Sequence, residues 1–242
     1  MSDRIVCEVR DAAPVAVVRL SGPLDLGTMR TVHQALGDAL ATQPEALVVD
    51  LTDVAVRDRL ALSVFAATAR RAEEWPAVPV VLCAPPPVAA RWLAESTTCR
   101  VVPVSADCAE ATRIAGAATP FRVRARFEPV AEACRRAREL VGDACTRWNL
   151  PNAAGPAALV LSELVGNVVR HAGTPMQVTV TLRRQYLHLA VVDGSGAPAR
   201  PAEANLRAEG GRGLMLVREL AQRWGSVPAG QGKAVWAMLP AT

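Results

Sequence analysis

The chain has 242 residues, 51% of them hydrophobic and 21% charged, enough apolar material to bury one or two cores of ordinary size. Arg, Asp, Glu or Pro interrupts every apolar stretch short of the roughly 18–20 residues that a membrane span needs, and Met1-Ser2-Asp3-Arg4-Ile5 lacks a basic region followed by a long apolar one, so a cytoplasmic protein without membrane contact is expected. The net charge of +4 is carried by arginine, Lys233 being the single lysine among 27 basic residues, and aromatics are 4%, which argues against a nucleic-acid partner.

Six cysteines (Cys7, Cys83, Cys99, Cys108, Cys134, Cys145) form no CxxC pair, and none stands at metal-ligand spacing from His33, His171 or His188. Buried, reduced thiols are expected. Up to Ala118 there are 11 Arg against 14 Asp plus Glu, net −3; the remainder has 15 Arg and Lys233 against 9 acids, net +7. The chain therefore reads as two unlike halves. Ile114-Ala115-Gly116-Ala117-Ala118-Thr119-Pro120, small residues ending in proline, has the composition of a linker. The expected domains are 1–117 and 118–242, with no repeat between them.

In the first half, Val15 to Leu20, Ala46 to Leu51, Pro79 to Cys83 and Val101 to Val104 are short β-branched runs bounded by Gly, Pro and Asp. Between and after them, Thr28 to Ala41, Arg59 to Trp75, Pro87 to Glu95 and Asp107 to Ala115 place Leu or Ala at helical spacing with charges opposite. Such alternation predicts an α/β sheet covered by helices. Val18-Arg19-Leu20-Ser21-Gly22-Pro23-Leu24-Asp25-Leu26, Leu47-Val48-Val49-Asp50-Leu51-Thr52-Asp53-Val54 and Asp58 opening a helix resemble a STAS domain of the anti-sigma-factor-antagonist type, over roughly residues 4 to 116.

In that family the strand is followed by Asp-Ser-Ser-Gly-Leu-Gly at a helix N-terminus, and a partner kinase phosphorylates the second serine. A hydroxyl there is exposed, and its phosphate sits on the positive end of the helix dipole. Here the stretch reads Asp58-Arg59-Leu60-Ala61-Leu62-Ser63, with leucine at the phosphoacceptor position. The resemblance leaves two readings open: a constitutive docking surface, or a replacement hydroxyl at Ser63 or Thr52. Ser63 is expected to be a packed small residue inside the helix, and Asp58 suits an N-cap as well as a regulatory role.

The second half opens with Phe121-Arg122-Val123-Arg124-Ala125-Arg126-Phe127, a strand with arginine on its solvated face, and Pro129 then starts a helix running toward Trp148. The apolar helix Ala157 to Ala172 carries Glu163, Asn167 and His171 four apart along one face, where polar groups cost free energy unless a partner satisfies them. Two strands, Gln177 to Arg183 and Leu187 to Val192, precede Asp193-Gly194-Ser195-Gly196. Gly210-Gly211-Arg212-Gly213-Leu214 then opens an amphipathic helix, and Gly232-Lys233-Ala234-Val235-Trp236-Ala237-Met238 closes the series.

In that order these motifs resemble the Bergerat-type (HATPase) ATP-binding α+β sandwich, over about residues 121 to 240, and within it the anti-sigma-factor serine kinases. No helix bearing a phosphoacceptor His precedes the domain, which disfavours a sensor histidine kinase. The resemblance implies ATP and Mg²⁺ as ligands. It assigns Asn167 to Mg²⁺, whose octahedral demand for oxygen an amide carbonyl suits, and Glu163 as general base toward a substrate hydroxyl. Asp193 is assigned to the adenine amino group, with Gly194 and Gly196 letting the backbone approach the base. Gly211 and Gly213 would form a lid that brings backbone N–H groups to the phosphates.

Arg212 is read either as a phosphate ligand or as an exposed lid residue, and His171 as a hydrogen-bonding residue at the helix end. Family members often carry Thr after Lys233; Ala234 stands here and removes a hydroxyl from a phosphate or base contact. The resemblance implies a serine/threonine protein kinase of bacterial partner switching, phosphorylating a separate STAS partner, with a sigma factor competing for the same surface. The alternative is a catalytically inactive nucleotide-dependent binding module or scaffold. Self-association through the ATPase half stays open.

Overall fold

Residues 4–11, 14–117, 121–196 and 212–241 are described by the computed structural model of the chain. It divides into two units, Met1–Thr119 and Pro120–Thr242. In the first, β1 (Val6–Asp11), β2 (Val15–Leu24), β3 (Ala46–Val56), β4 (Val80–Cys83) and β5 (Val104–Ser105) pair in sequence order. β1 and β2 are antiparallel; β2 to β5 run parallel.

The period-two alternation of β3 decides what covers each face. Leu47, Val49 and Leu51 point into a core shared with α1 (Met29–Ala41), α2 (Ser63–Glu74) and α3 (Pro87–Ala94), where Leu36, Phe65 and Leu93 are fully enclosed. Ala46 and Val48 face the other way, onto α4 (Cys108–Ala117), through Ala111 and Ala115. Each large side chain so enclosed contributes about 1.5–3 kcal/mol. Ile114 to Ala117, read as linker from composition, is the end of α4, with Ala115 fully buried. Its small residues permit close approach of the helix to the sheet.

The expected reduced state of all cysteines is corrected for one pair. Cys83 at the end of β4 and Cys108 at the start of α4 form a disulfide, with their Cα atoms 5.1 Å apart. Their separation of 25 residues matches no motif; the strand–helix return alone brings them together. Cys7, Cys99, Cys134 and Cys145 are free, and burial raises the thiol pKa of Cys7, Cys99 and Cys145. Protein denatured without reductant is expected to take up four equivalents of an alkylating reagent, and six after reduction. Six equivalents in both would show the pair to be open.

The second unit is an antiparallel sheet backed by helices. Its strands, β6 (Phe121–Phe127), β7 (Met176–Arg183), β8 (Tyr186–Asp193), β9 (Arg223–Ala229) and β10 (Gly232–Pro240), lie in the order β6-β7-β8-β10-β9. Val178, Val180, Leu189, Val191, Val235 and Ala237 turn toward α5 (Glu132–Arg147), α6 (Pro151–Asn167) and α7 (Arg212–Leu220). Pro151 starts α6 at a position where a missing N–H costs nothing.

By length and composition the 22-residue helix Pro151–Ala172, which contains an 18-residue window of mean hydropathy 1.2, passes for a membrane span, contrary to the sequence expectation that no stretch qualifies. Its Val160, Leu161, Leu164 and Val165 fill the core of this unit instead, against β8 and β10. That helix ends in wide turns: Val168–Ala172 is π-helical, and Gly173, at φ 61°, donates its N–H to Val168 O.

Candidate functional site

The C-terminal end of α6 carries the first part of the site. Glu163 and Asn167 are half-buried along it, and the π-helical turn after Asn167 swings Arg170 back over both. Arg170 Nη2 donates to Asn167 Oδ1 at 3.1 Å and lies 3.6 Å from Glu163 Oε2. Its guanidinium also lies against Gly166, where an added Cβ would come within 3.1 Å of Nη1. His171 is exposed at the end of this turn.

The second part sits where β8 ends. Asp193 is 4% exposed, and its two carboxylate oxygens differ. Oδ1 accepts from Ser195 N at 2.7 Å and from Lys233 Nζ at 3.0 Å; Oδ2 is buried with no hydrogen-bond partner among the described residues. A buried acceptor left unpaired is costly unless a donor reaches it. Gly194 and Gly196 are exposed in the turn that follows. Gly232 lies so close beneath it that a Cβ there would fall 1.8 Å from Asp193 O.

One hydrogen bond joins the two parts: Gly194 N donates to Thr174 Oγ1 at 3.0 Å, and Thr174 directly follows the Gly173 cap of the π-helical turn. The segment that follows the α6 helix end is thereby tied to the Asp193–Gly194 turn. Gly211 lies outside the described residues, as does Gly210. Arg212 and Gly213 begin α7, and their backbone is in helical conformation.

The sequence assigned no role to two residues of this site. Arg170 stands three positions after Asn167 and seven after Glu163, a helical spacing that would have flagged it. Lys233, part of the Gly232–Met238 motif but given no role from the sequence, is placed by sheet register directly opposite Asp193 in the antiparallel β8–β10 pair.

In the first unit, Asp58 is the N-cap of the 3₁₀ turn Arg59–Leu62, accepting from Leu60 N at 2.8 Å. Leu60 is 68% exposed. Ser63, expected to be packed, is exposed and donates to Leu60 O at 2.7 Å, because the 3₁₀ turn shifts it to the outer side of the helix start. Thr52 is exposed as well and donates its hydroxyl proton to Asp50. Leu26, in the connection from β2 to α1, and Val88, in the first turn of α3, are both 57% exposed and follow the strands on either side of β3, whose connection bears Leu60.

The donor set suits a nucleotide. An unpaired buried carboxylate oxygen fits the amine of a base, and an amide oxygen beside a half-buried carboxylate fits a hard cation at the phosphates. Comparison with known proteins gives two family matches. Residues 124–239 match the histidine kinase-like ATPase domain and residues 5–111 the STAS domain. The anti-sigma-F factor antagonist RsfB of Mycobacterium tuberculosis is 36% identical over 69 residues, 28% of this chain and 57% of that protein, so the chain spans little more than half of that relative's length.

Among solved structures, an anti-sigma factor antagonist from Mycobacterium paratuberculosis is 26% identical with a TM-score of 0.43, over 48% of this chain and 97% of that one. The anti-sigma factor antagonist SpoIIAA in its unphosphorylated form is 18% identical with a TM-score of 0.39, over 46% and 96%. The chain thus carries a STAS domain at residues 5–111 followed by a histidine kinase-like ATPase domain at residues 124–239.

Proposed function

We propose that the chain is an ATP-dependent partner-switching regulator whose ATPase unit phosphorylates a serine or threonine on a separate STAS protein while its own STAS unit docks constitutively. The observation that carries this reading is the buried, unpaired Oδ2 of Asp193, an acceptor for the exocyclic amine of adenine. Asn167 Oδ1 would hold Mg²⁺, which when bound neutralises charge on the phosphoryl group in transfer. Arg170 would then give up its bond to Asn167 and swing toward the phosphates.

Glu163 is the base of the transfer. The partner's hydroxyl oxygen bonds to the γ-phosphorus, the bond from that phosphorus to the β–γ bridging oxygen breaks, ADP leaves, and the hydroxyl proton passes to the Glu163 carboxylate. The STAS unit offers Leu60, not a hydroxyl, where the family is phosphorylated. Its exposed Leu26, Leu60 and Val88 suit apolar docking to an antagonist or a sigma factor. This reading places the protein in the cytoplasm, where ATP and sigma factors meet.

Incubation with Mg²⁺-ATP and STAS proteins carrying the serine tests it. Glu163→Gln is expected to keep ATP affinity and to lose phosphotransfer by about 10²–10⁴-fold, and Asn167→Ala to weaken Mg²⁺-ATP binding more than that of metal-free ATP. A second reading, a nucleotide-dependent binding module without catalysis, is favoured by the contacts of Arg170 with both Glu163 and Asn167. A wild-type chain that binds ATP but labels no STAS protein selects it.

A further inference from the structure

We propose that Lys233 is a second base-reading residue, donating a hydrogen bond to the N1 ring nitrogen of adenine while Asp193 Oδ2 accepts from the amine on C6; the proposal rests on the ATP-binding reading above. Lys233 is the only lysine of the chain. Cross-strand pairing sets it opposite Asp193, so the sheet and not a mobile loop positions it. Its side chain is 13% exposed, and Nζ donates to Asp193 Oδ1 at 3.0 Å and to Ser195 O at 3.2 Å.

An ammonium has three N–H groups, and those two contacts account for two of them among the described residues. Asp193 is complementary: Oδ1 is saturated by Lys233 and Ser195 N, and Oδ2 is empty. The pair therefore has one unused acceptor beside one unused donor. Adenine presents the matching edge, a donor amine on C6 next to an acceptor at N1. A 6-oxopurine presents the reverse, a carbonyl oxygen on C6 next to N1–H, which sets oxygen against carboxylate and proton against ammonium.

The backbone under this pair cannot slide. With Gly232 pressed on Asp193 O, β10 holds Lys233 at one height relative to the turn, the preorganisation that a reading group requires. Ala234, fully buried, adds no hydroxyl to the site, so Lys233 is the polar side chain that β10 supplies to this edge. A buried ion pair contributes little to fold stability against apolar residues of the same shape, so fold stability alone does not account for it.

The test is calorimetric titration of the full chain with ATP and with 1-deaza-ATP, in which C–H replaces N1. The wild-type chain is expected to bind ATP about 10- to 100-fold more tightly than 1-deaza-ATP, the span of one hydrogen bond to a charged group. Lys233→Met is expected to bind the two equally, and Lys233→Arg to restore part of the preference. A lysine that only steadied Asp193 would weaken both nucleotides together in the Met variant and leave their ratio unchanged, which overturns the proposal. So does a wild-type ratio near one, a measurement that needs no variant to fold. A wild-type chain that binds neither nucleotide removes the ATP reading itself, and this inference with it.

Discussion

Asp193→Asn is expected to bind ATP about 100-fold more weakly than the wild-type chain while keeping its fold. The substitution is isosteric, and the amide oxygen will stay where Ser195 N and Lys233 Nζ both donate to it. That orientation puts the new NH₂ group at the position of Oδ2, which has no partner among the described residues. Two donors then face each other when adenine arrives, and a site built around one hydrogen bond rejects the mismatched partner by about 2–3 kcal/mol. Calorimetry on the folded variant reads the effect. Affinity within threefold of wild type would mean that Asp193 does not read the base.

The second large effect falls on Gly232. An alanine Cβ there meets Asp193 O at 1.8 Å, its carbonyl carbon at 2.8 Å and Gly194 Cα at 2.9 Å, all backbone atoms of the neighbouring strand and turn. No side-chain rotation relieves such a contact, so β8 and β10 must part at the Lys233–Asp193 pair. We expect Gly232→Ala to destabilise the ATPase unit by more than about 3 kcal/mol, beyond ordinary overpacking, and to abolish nucleotide binding with it. Gly142→Ala and Gly155→Ala, where nothing lies within 4 Å of the added carbon, serve as controls and should be neutral or stabilising by up to about 1 kcal/mol. A Gly232→Ala protein that melts with wild type would show that the close approach is absent in solution.

Much of the fold was legible because it follows from local chemistry. The run from Ala46 to Val49 is apolar on both faces, which a strand sandwiched between helices requires, and β3 is covered by α1 and α2 on one side and α4 on the other. Elsewhere local rules misled. Val101 to Val104 reads as a strand, yet Val101 and Val102 both donate to Thr98 O at the end of a 3₁₀ turn, leaving only Val104–Ser105 in the sheet. The helix after Pro129 starts three residues late, at Glu132, after a turn at Val130.

Strand β9 was not anticipated at all. Arg223–Ala229 contains Gly225 and Pro228, which locally read as a loop, but the strand lies at the sheet edge, where proline costs no ladder bond. Gly225 is needed there because the Trp236 ring lies over it, 2.9 Å from where a Cβ would be. Neither fact is visible without the pairing of β9 with β10.

The sequence by itself determined two domains of unlike charge, the strand and helix periods within each, and the ordered set Glu163, Asn167, Asp193 and glycines that carries the resemblance to an ATPase domain. Tertiary structure decided what those groups touch. Lys233 meets Asp193 across 40 residues, Gly194 meets Thr174 across 20, and Cys83 bonds Cys108 across 25. Such partners are set by sheet register and by chain return between elements, not by local spacing. A sequence pattern records which side of an element is apolar; it does not record which donor will stand opposite a buried oxygen, and that choice separates Oδ1 of Asp193, paired within the chain, from Oδ2, unpaired among the described residues.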